Sequence, residues 1–584
     1  MKHYRILLAA LIASLFAFAA CDDPLNPEEN FRNNLESVLM SPAKAEGIMT
    51  YGYTQMPYIT PRFDDVATDD AVSNDPGNSY RTMATGGWSS LSNAQDMWTQ
   101  CNRGIMNLNR FFTVVDDIDW KPSNEGLARA FKTLYTGEAY ALRGILKYFL
   151  LRNHGGISAD GELLGIPIYN EYVTDIATFS EPRKSFTESV QSIMDDFNEA
   201  LKYLPEDYGD VTSVPAEFNY LNLDEYNQVF GNQRRQKVSG RIVNAFQARL
   251  ALLVASPAFN PSNTASLWEA AANYAGEILK DIGGVSGLDP KGNIFWLPDQ
   301  VKEAKLRTGD DKDIPEMVWR RYMRTINTWE GDNYPPTVYG HGRINPTQNF
   351  VDAFPMKNGL PIDDPASGYD PQNPYADRDP RLAQIVVLDG SKVRGAVINT
   401  LTGSSDDLAN KMQYSTRTGY YLRKHLREDV NMQTGKTNTQ DHIEPIIRYT
   451  EIFLIYAEAA NEAWGPDGKG SFGFSARDVI AAIRKRAGIT DDAYLAKVSS
   501  KEDMRALIRN ERRIELSFEG FRFWDLRRWN VALDEPARGI SLSKDGVYSE
   551  VDVEERAYKP YMVYGPIPYN EVLKFGFVQN KGWE

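Results

Sequence analysis

RNERRIELSFEGFRFWDLRRW, residues 509–529, holds six arginines, four carboxylates and a knot of aromatic rings. As a helix from about Glu502, the segment places Met504, Leu507, Ile508, Ile514, Leu516 and Phe518 on one apolar side. Glu511, Glu515 and Glu519 recur one turn apart with Arg512 and Arg513 between them, so ion pairs within the helix and to neighbouring elements are available. Gly520 breaks the helix, and FRFWDLRRW then offers Phe521, Phe523, Trp524, Leu526 and Trp529 for packing. Arginine forks held by buried carboxylates beside aromatic rings lock elements together. The stretch reads as architecture.

Charge balance excludes the most obvious alternative. The chain has 584 residues and a formal net charge of −15, which becomes −17 if Lys2 and Arg5 leave with an N-terminal leader. Such a polyanion repels phosphate backbones, and acids interleave the one arginine cluster, so a nucleic-acid grip is ruled out. With 42% hydrophobic, 12% aromatic and 24% charged residues, the composition is that of a folded protein. The length calls for two lobes or an elongated repeat array.

At the N-terminus, Lys2 and Arg5 precede an uncharged apolar run from Ile6 to Ala20, then Cys21. The run is too short to span a bilayer, which takes about 20 residues, and suits a signal-peptide core over residues 1–20. Ala19 and Ala20 before Cys21 resemble a bacterial lipobox, although Phe18 stands where leucine is more usual. Cys21 is then the lipidated first residue, followed by a polar tether over 21–34. The other reading is an ordinary secretory leader with an incidental cysteine. Cys101 is the only other cysteine, lies in an apolar helical stretch and reads as packed.

Helical periodicity recurs along the chain. Residues 128–151 and 187–204 carry it, as do 238–255 and 267–280, then 448–464 and 475–488. Capping boxes are predicted at Ser185 with Glu188, Ser266 with Glu269, and Ser475 with Asp478. Paired helices that mix alanines with larger apolar residues predict a mainly α fold of tetratricopeptide-like hairpins, with long loop-rich insertions and a few short strands. The largest insertion, about 283–447, is rich in Gly, Pro, Asn and Asp, with strand-like runs at MVW (317–319) and AQIVVL (383–388). Long excursions on a rigid frame are where binding function sits.

Catalytic motifs are thin. GKGSFG (468–473) matches GxGxxG but follows a helix, and GKT (435–437) lacks the leading glycine of a phosphate loop. HExxH and CxxC do not occur, and the histidines beyond the leader, His154, His341, His425 and His442, are scattered. No spacing singles out a carboxylate pair for glycosidic cleavage. No catalytic residue, metal site or cofactor is predicted.

The 509–529 stretch also resembles the signature of the SusD/RagB family of Bacteroidetes outer-membrane lipoproteins. FDDVATDDA (63–71), FVDAFPMKNGLPI (350–362), YADRDPRL (375–382), IRYTEIFLIYAEAANEA (447–463), IRKRAG (483–488), GPIPYNEV (565–572) and VQNKGW (578–583) follow in the family's order. Asp22 and Asp23 after the cysteine resemble the surface-export signal of such lipoproteins. The resemblance implies four tetratricopeptide-like hairpins, an N-terminal region over 35–282, and a second region over 283–584 with the loop-rich excursion and C-terminal hairpins. It further implies a non-catalytic lipoprotein, anchored in the outer membrane and facing outward, that binds oligosaccharides and acts as a lid on a SusC-like TonB-dependent transporter. A peptide ligand is the alternative within the family, and a lipid-anchored glycoside hydrolase the alternative outside it.

For a glycan, exposed rings flanked by polar side chains are expected. Family resemblance directs attention to the loops of the N-terminal segment and of the central excursion. Trp88 in ATGGWSS, with Arg81 and Asp70 near it in sequence, is the first candidate; Trp329, Tyr334 and Tyr339 in NTWEGDNYPPTVYG form the second. Trp98 and Trp268, at helical core spacing, and Trp319, in a strand-like run, read as buried. Cys21→Ala is expected to release the protein from outer-membrane fractions, since acyl chains contribute about 0.8 kcal/mol per buried methylene. Membrane association that survives the substitution would contradict the lipobox.

Overall fold

The computed structural model describes residues 41–57, 63–174, 181–307, 313–407 and 414–584. Cys21, the leader and the tether lie outside these residues. Helices dominate and pair off: α1 (Pro42–Thr54) with α2 (Trp98–Phe112), α3 (Glu125–His154) with α4 (Phe186–Ala200), α5 (Gly240–Ala255) with α6 (Ala265–Asp281), and α7 (Tyr449–Trp464) with α8 (Ala476–Arg486). α6 packs on α7, so the hairpins join across the long excursion, and α9 (Lys501–Glu515) lies against α7. One apolar core runs from Ala45 in α1 to Phe577, taking in Trp98, Cys101, Trp268 and Trp319. Among the described residues no helix is long and apolar enough to cross a membrane.

Local chemistry explains the helix starts. Ser185 and Ser475 form the predicted capping boxes with Glu188 and Asp478. The box at Ser266 does not form. α6 begins two residues earlier, at Ala265, and Glu269 instead accepts a hydrogen bond from Trp464 Nε1 at 3.0 Å. α1 went unpredicted because Pro42, Gly47 and Gly52 dilute its apolar pattern. Gly52 is there for closeness: a Cβ would stand 3.0 Å from Leu108 Cδ2 of α2. Gly144 of α3 has the same role against Phe197 of α4, at 2.6 Å.

The excursion contributes short antiparallel pairings. Met317–Arg320 pairs with Pro445–Arg448, as MVW suggested. AQIVVL is mixed: Arg381–Ile385 is helical, and only Val386–Val387 is strand, paired with Tyr421–Leu422. β1 (Ala71–Ser73) pairs with β2 (Ile344–Pro346) and so ties the N-terminal segment to the excursion.

The 509–529 stretch holds these parts together. α9 ends at Glu515, short of the predicted break at Gly520. Phe518 turns left-handed, with φ 58°; its N–H donates to Asp65 at 3.2 Å and its ring enters a second apolar cluster with Ile344 and Phe350. Glu511 and Glu515 of α9 pair outward rather than within the helix. Glu515 meets Arg486 at 2.6 Å and Arg381 at 3.0 Å, and Glu511 meets Arg381. Glu519 meets Lys424 at 2.6 Å and Arg448 at 2.8 Å, while Arg448 also reaches Glu316 at 2.8 Å. Arg512 pairs with Asp525 of α10 (Arg522–Arg528) at 2.7 Å, and Arg528 pairs with Glu458 of α7 at 2.6 Å.

Burial alone would raise the carboxyl of Glu519, but the cations of Arg448 and Lys424 reverse the effect and hold it below the usual range. Burial likewise opposes ionisation of Glu458, and Arg528 overrides it, holding the carboxyl at about 2. Removing one partner of such a pair strands the other charge. Glu519→Ala is therefore expected to lower unfolding free energy by about 3–5 kcal/mol, read as a shift of the urea midpoint. An unchanged midpoint would refute the structural role.

Candidate ligand-binding surface

β1 and β2 present a group of loops at one surface. The polar side chain of Asn74, just past β1 and 2% exposed, organises them. Its Nδ2 donates to the carbonyls of His341 at 2.8 Å, Gly342 at 2.9 Å and Ser415 at 3.0 Å, and its Oδ1 accepts from Arg343 Nη1 at 3.2 Å. Asn345 in β2 adds a second clamp, donating to Gly342 O at 2.8 Å and accepting from Arg417 N at 3.0 Å.

The clamps bring two rings together. His341 and Tyr414 face each other with centroids 5.0 Å apart, both exposed, and Tyr414 keeps 42% of its surface open. The guanidinium of Arg343 lies 5.9 Å from the Tyr414 ring. Asp332 and Asp75 complete a polar margin. Partial burial raises the Asp332 carboxyl, His341 and Arg343 draw it down, and Asp75 adds to the rise. Tyr339 projects from the same loop at 55% exposure with φ 71°, a conformation a bulky side chain seldom adopts. The backbone holds it there: Tyr339 N donates to Pro336 O at 2.9 Å and His341 N to Gly331 O at 2.9 Å. Beside the rings, Arg81 and Arg417 converge on Glu554. A ledge of exposed rings bordered by donors and acceptors can stack an apolar ligand face and hydrogen-bond its edge.

Three sequence candidates require correction. Trp88 is 4% exposed and is no open platform. Its ring lies 4.8 Å from Trp583, 5.8 Å from Phe523 and 4.9 Å from the Arg527 guanidinium, while Nε1 donates to Asn93 at 2.9 Å. Asp70 is fully buried and accepts from Arg513 Nε at 2.6 Å. Beside it Asp69 takes both Arg513 and Arg522. Burial pushes both carboxyls up; the two arginines bring Asp69 well below the usual range, whereas Asp70, next to Asp69, stays above it. Tyr334 is 1% exposed, packed with Val387 and Tyr421, and donates its hydroxyl to Arg427 O.

The others divide. Arg81 is half-buried at the margin, 3.1 Å from Glu554. Trp329 is half-buried on a different flank, edge-on to His442 at 4.8 Å and with Arg324 at 5.8 Å from its ring. The structure does not join it to the Tyr414 ledge. Tyr339 alone of the three aromatics in its stretch is open. Asn74, Asp332, His341, Arg343, Tyr414 and Arg417 escaped the sequence reading; a tyrosine in the polar run QYSTRTG and a histidine between glycines in YGHG were the available signals.

Residues 315–583 match the SusD family. A SusD-like protein of Formosa agariphila, P25, is 28% identical over 158 residues, which is 26% of this chain and 26% of that protein. The match thus spans about a quarter of that curated relative. A SusD-like protein from Bacteroides fragilis superposes with a TM-score of 0.70 at 20% identity, covering 96% of this chain and 100% of that one. A SusD-like carbohydrate-binding protein from the same species gives 0.67 at 20% identity, covering 92% and 98%. At such identities the solved structures speak to the fold. The match covers the C-terminal part of the chain, and the fold that surrounds it is that of the SusD-like structures.

Trp88→Ala removes a ring from a packed aromatic cluster and is expected to lower stability by about 3–5 kcal/mol in chemical denaturation. An unaltered denaturation curve would return Trp88 to the list of ligand contacts.

Proposed function

We propose that the protein is a non-catalytic, surface-exposed glycan-binding lipoprotein that captures oligosaccharides and passes them, as a lid, to a SusC-like TonB-dependent transporter, with Cys21 as its outer-membrane anchor. The observation that carries the reading is the ledge of Tyr414, His341 and Tyr339, exposed rings that the loops around Asn74 bring together. Stacking a sugar face on such rings costs little side-chain entropy, and Asp332, Arg343 and Asp75 stand where ring hydroxyls need partners. The match of residues 315–583 to the SusD family and a structural relative described as carbohydrate-binding support the ligand class. Trp329 and Arg81 are outer contacts for a longer chain. A tethered lid stays near its partner while it opens, which keeps the effective concentration high.

One observation favours hydrolysis as a second reading: the raised carboxyl of Asp332 stands beside Asp75, an acid next to a second acid. The two readings separate in one experiment. A polysaccharide panel is titrated against the purified protein by calorimetry, and the mixtures are assayed for new reducing ends. Binding without new ends is expected, with Tyr414→Ala weakening it by at least ~1–2 kcal/mol and leaving the melting temperature unchanged. New reducing ends would replace the binding reading with the hydrolase. Full affinity in Tyr414→Ala would remove the ledge from the site.

A further inference from the structure

Beneath the arginine-rich stretch lies a cavity of about 110 Å³, which shares no lining residue with the ledge and is lined in part by α3, α5, α7 and α10. Its walls include Leu252, Leu253 and Ile455, so charges there act through a medium poorer in water than the surface. Several buried hydrogen-bond donors on these walls have nothing to donate to, among them one on Arg512, one on Trp524 and two on Arg527. Arg512 is 3% exposed; its Nε is engaged by Asp525 at 2.7 Å, and its Nη1 has no partner. Trp524 Nε1 is buried and equally without a partner. Guanidinium and indole N–H groups donate and cannot accept, so only an acceptor can satisfy both.

The acceptors on the walls are already committed. Glu451 is held by Arg249 at 2.6 Å, Glu519 by Arg448 and Lys424, and Asp525 by Arg512 and Arg528. Five arginines line the cavity, Arg152, Arg249, Arg512, Arg527 and Arg528, against the three carboxylates Glu451, Glu519 and Asp525, with Glu458 behind the walls as a fourth that pairs with Arg528. Arg527 is the least compensated of them. Its guanidinium lies 3.4 Å over the Phe523 ring, and burial brings its pKa down to about 10. Unsatisfied buried donors are rare in native proteins because each costs about 1–3 kcal/mol. Here they coincide with excess positive charge.

We propose that this cavity is a binding site for a small anion, of halide or short-carboxylate size, held between Arg512 Nη1 and Trp524 Nε1. A bound anion supplies the missing acceptor and offsets the arginine excess in one step. It also joins α9 to α10, the two halves of the 509–529 stretch, independently of any ligand on the ledge.

The test uses the full chain in a buffer whose only anion is a bulky sulfonate, which also keeps ionic strength constant. Bromide or acetate is titrated while the melting temperature is followed. A saturable rise is expected; bromide alone would assign a halide, and acetate as well would assign a carboxylate. Trp524→Phe keeps a ring but loses the donor, and half-saturation should need ~tenfold more anion, the scale of one hydrogen bond to a charged group. Crystals soaked in bromide should show an anomalous peak within hydrogen-bonding distance of Arg512 Nη1. A linear or absent response in the wild-type chain, an unchanged half-saturation in Trp524→Phe, or a cavity holding only water would overturn the proposal.

Discussion

A carboxylate taken out of water must find its countercharge, and the cost of failing, several kcal/mol per ion, constrains this fold more than any single apolar contact. Glu511, Glu515 and Glu519 are all buried within a short span of chain, and their ion pairs run to cations outside it. Their partners Arg381, Lys424, Arg448 and Arg486 come from the excursion and from the C-terminal hairpin. Each of those segments is thereby held to one place. Hydrophobic burial makes the helices stack, but buried charge decides which loops meet which helix end.

The ledge inherits its geometry from the same lattice. Arg513 and Arg522 grip Asp69 and Asp70, and these two residues lead directly into β1. Thr347, just past β2, donates its amide to Asp70 O at 2.9 Å and its hydroxyl to Asp69 O. β1 then delivers Asn74 to the carbonyls of His341, Gly342 and Ser415. A chain of contacts thus runs from a buried ion pair to two exposed rings. The left-handed backbone at Tyr339 is tolerated because the loop around it is hydrogen-bonded at several points.

The hairpins from α3 to α8 were legible in the sequence, since periodicity and serine caps are local signals and Ser185 and Ser475 do what their spacing suggests. α1 was not, because a helix that needs glycine at its crossing loses the pattern that would reveal it. The arginine stretch was readable as architecture, yet its pairing within the helix was not what formed. The site was the least legible. Trp88 sits in a polar, glycine-rich run that shows no core face, and its packing partners Phe523, Tyr558 and Trp583 lie at the other end of the chain. Tyr334 and Tyr339 look alike in sequence, and only the turn between them sends one ring inward and the other out. His341 and Tyr414 become neighbours through Asn74, which bonds the carbonyls of His341 and Ser415 across sequence separations of 267 and 341 residues. Separations of that size leave no trace in a local window.

The acids at Asp69 and Asp70 have one more consequence, for the order in which the chain is made. Asp70 and Arg513 are 443 residues apart, and Asp69 and Arg522 are 453 apart. Synthesis runs from the N-terminus, so the acids emerge early and their arginines nearly last. Through most of translation the early hairpins can collapse on their local contacts, while the segment that will become β1 has no countercharge to close on. Closure of the ledge is thus a late event in the life of each molecule. A chain released before Arg513 would keep its first hairpins and lack the clasp that shapes its binding loops.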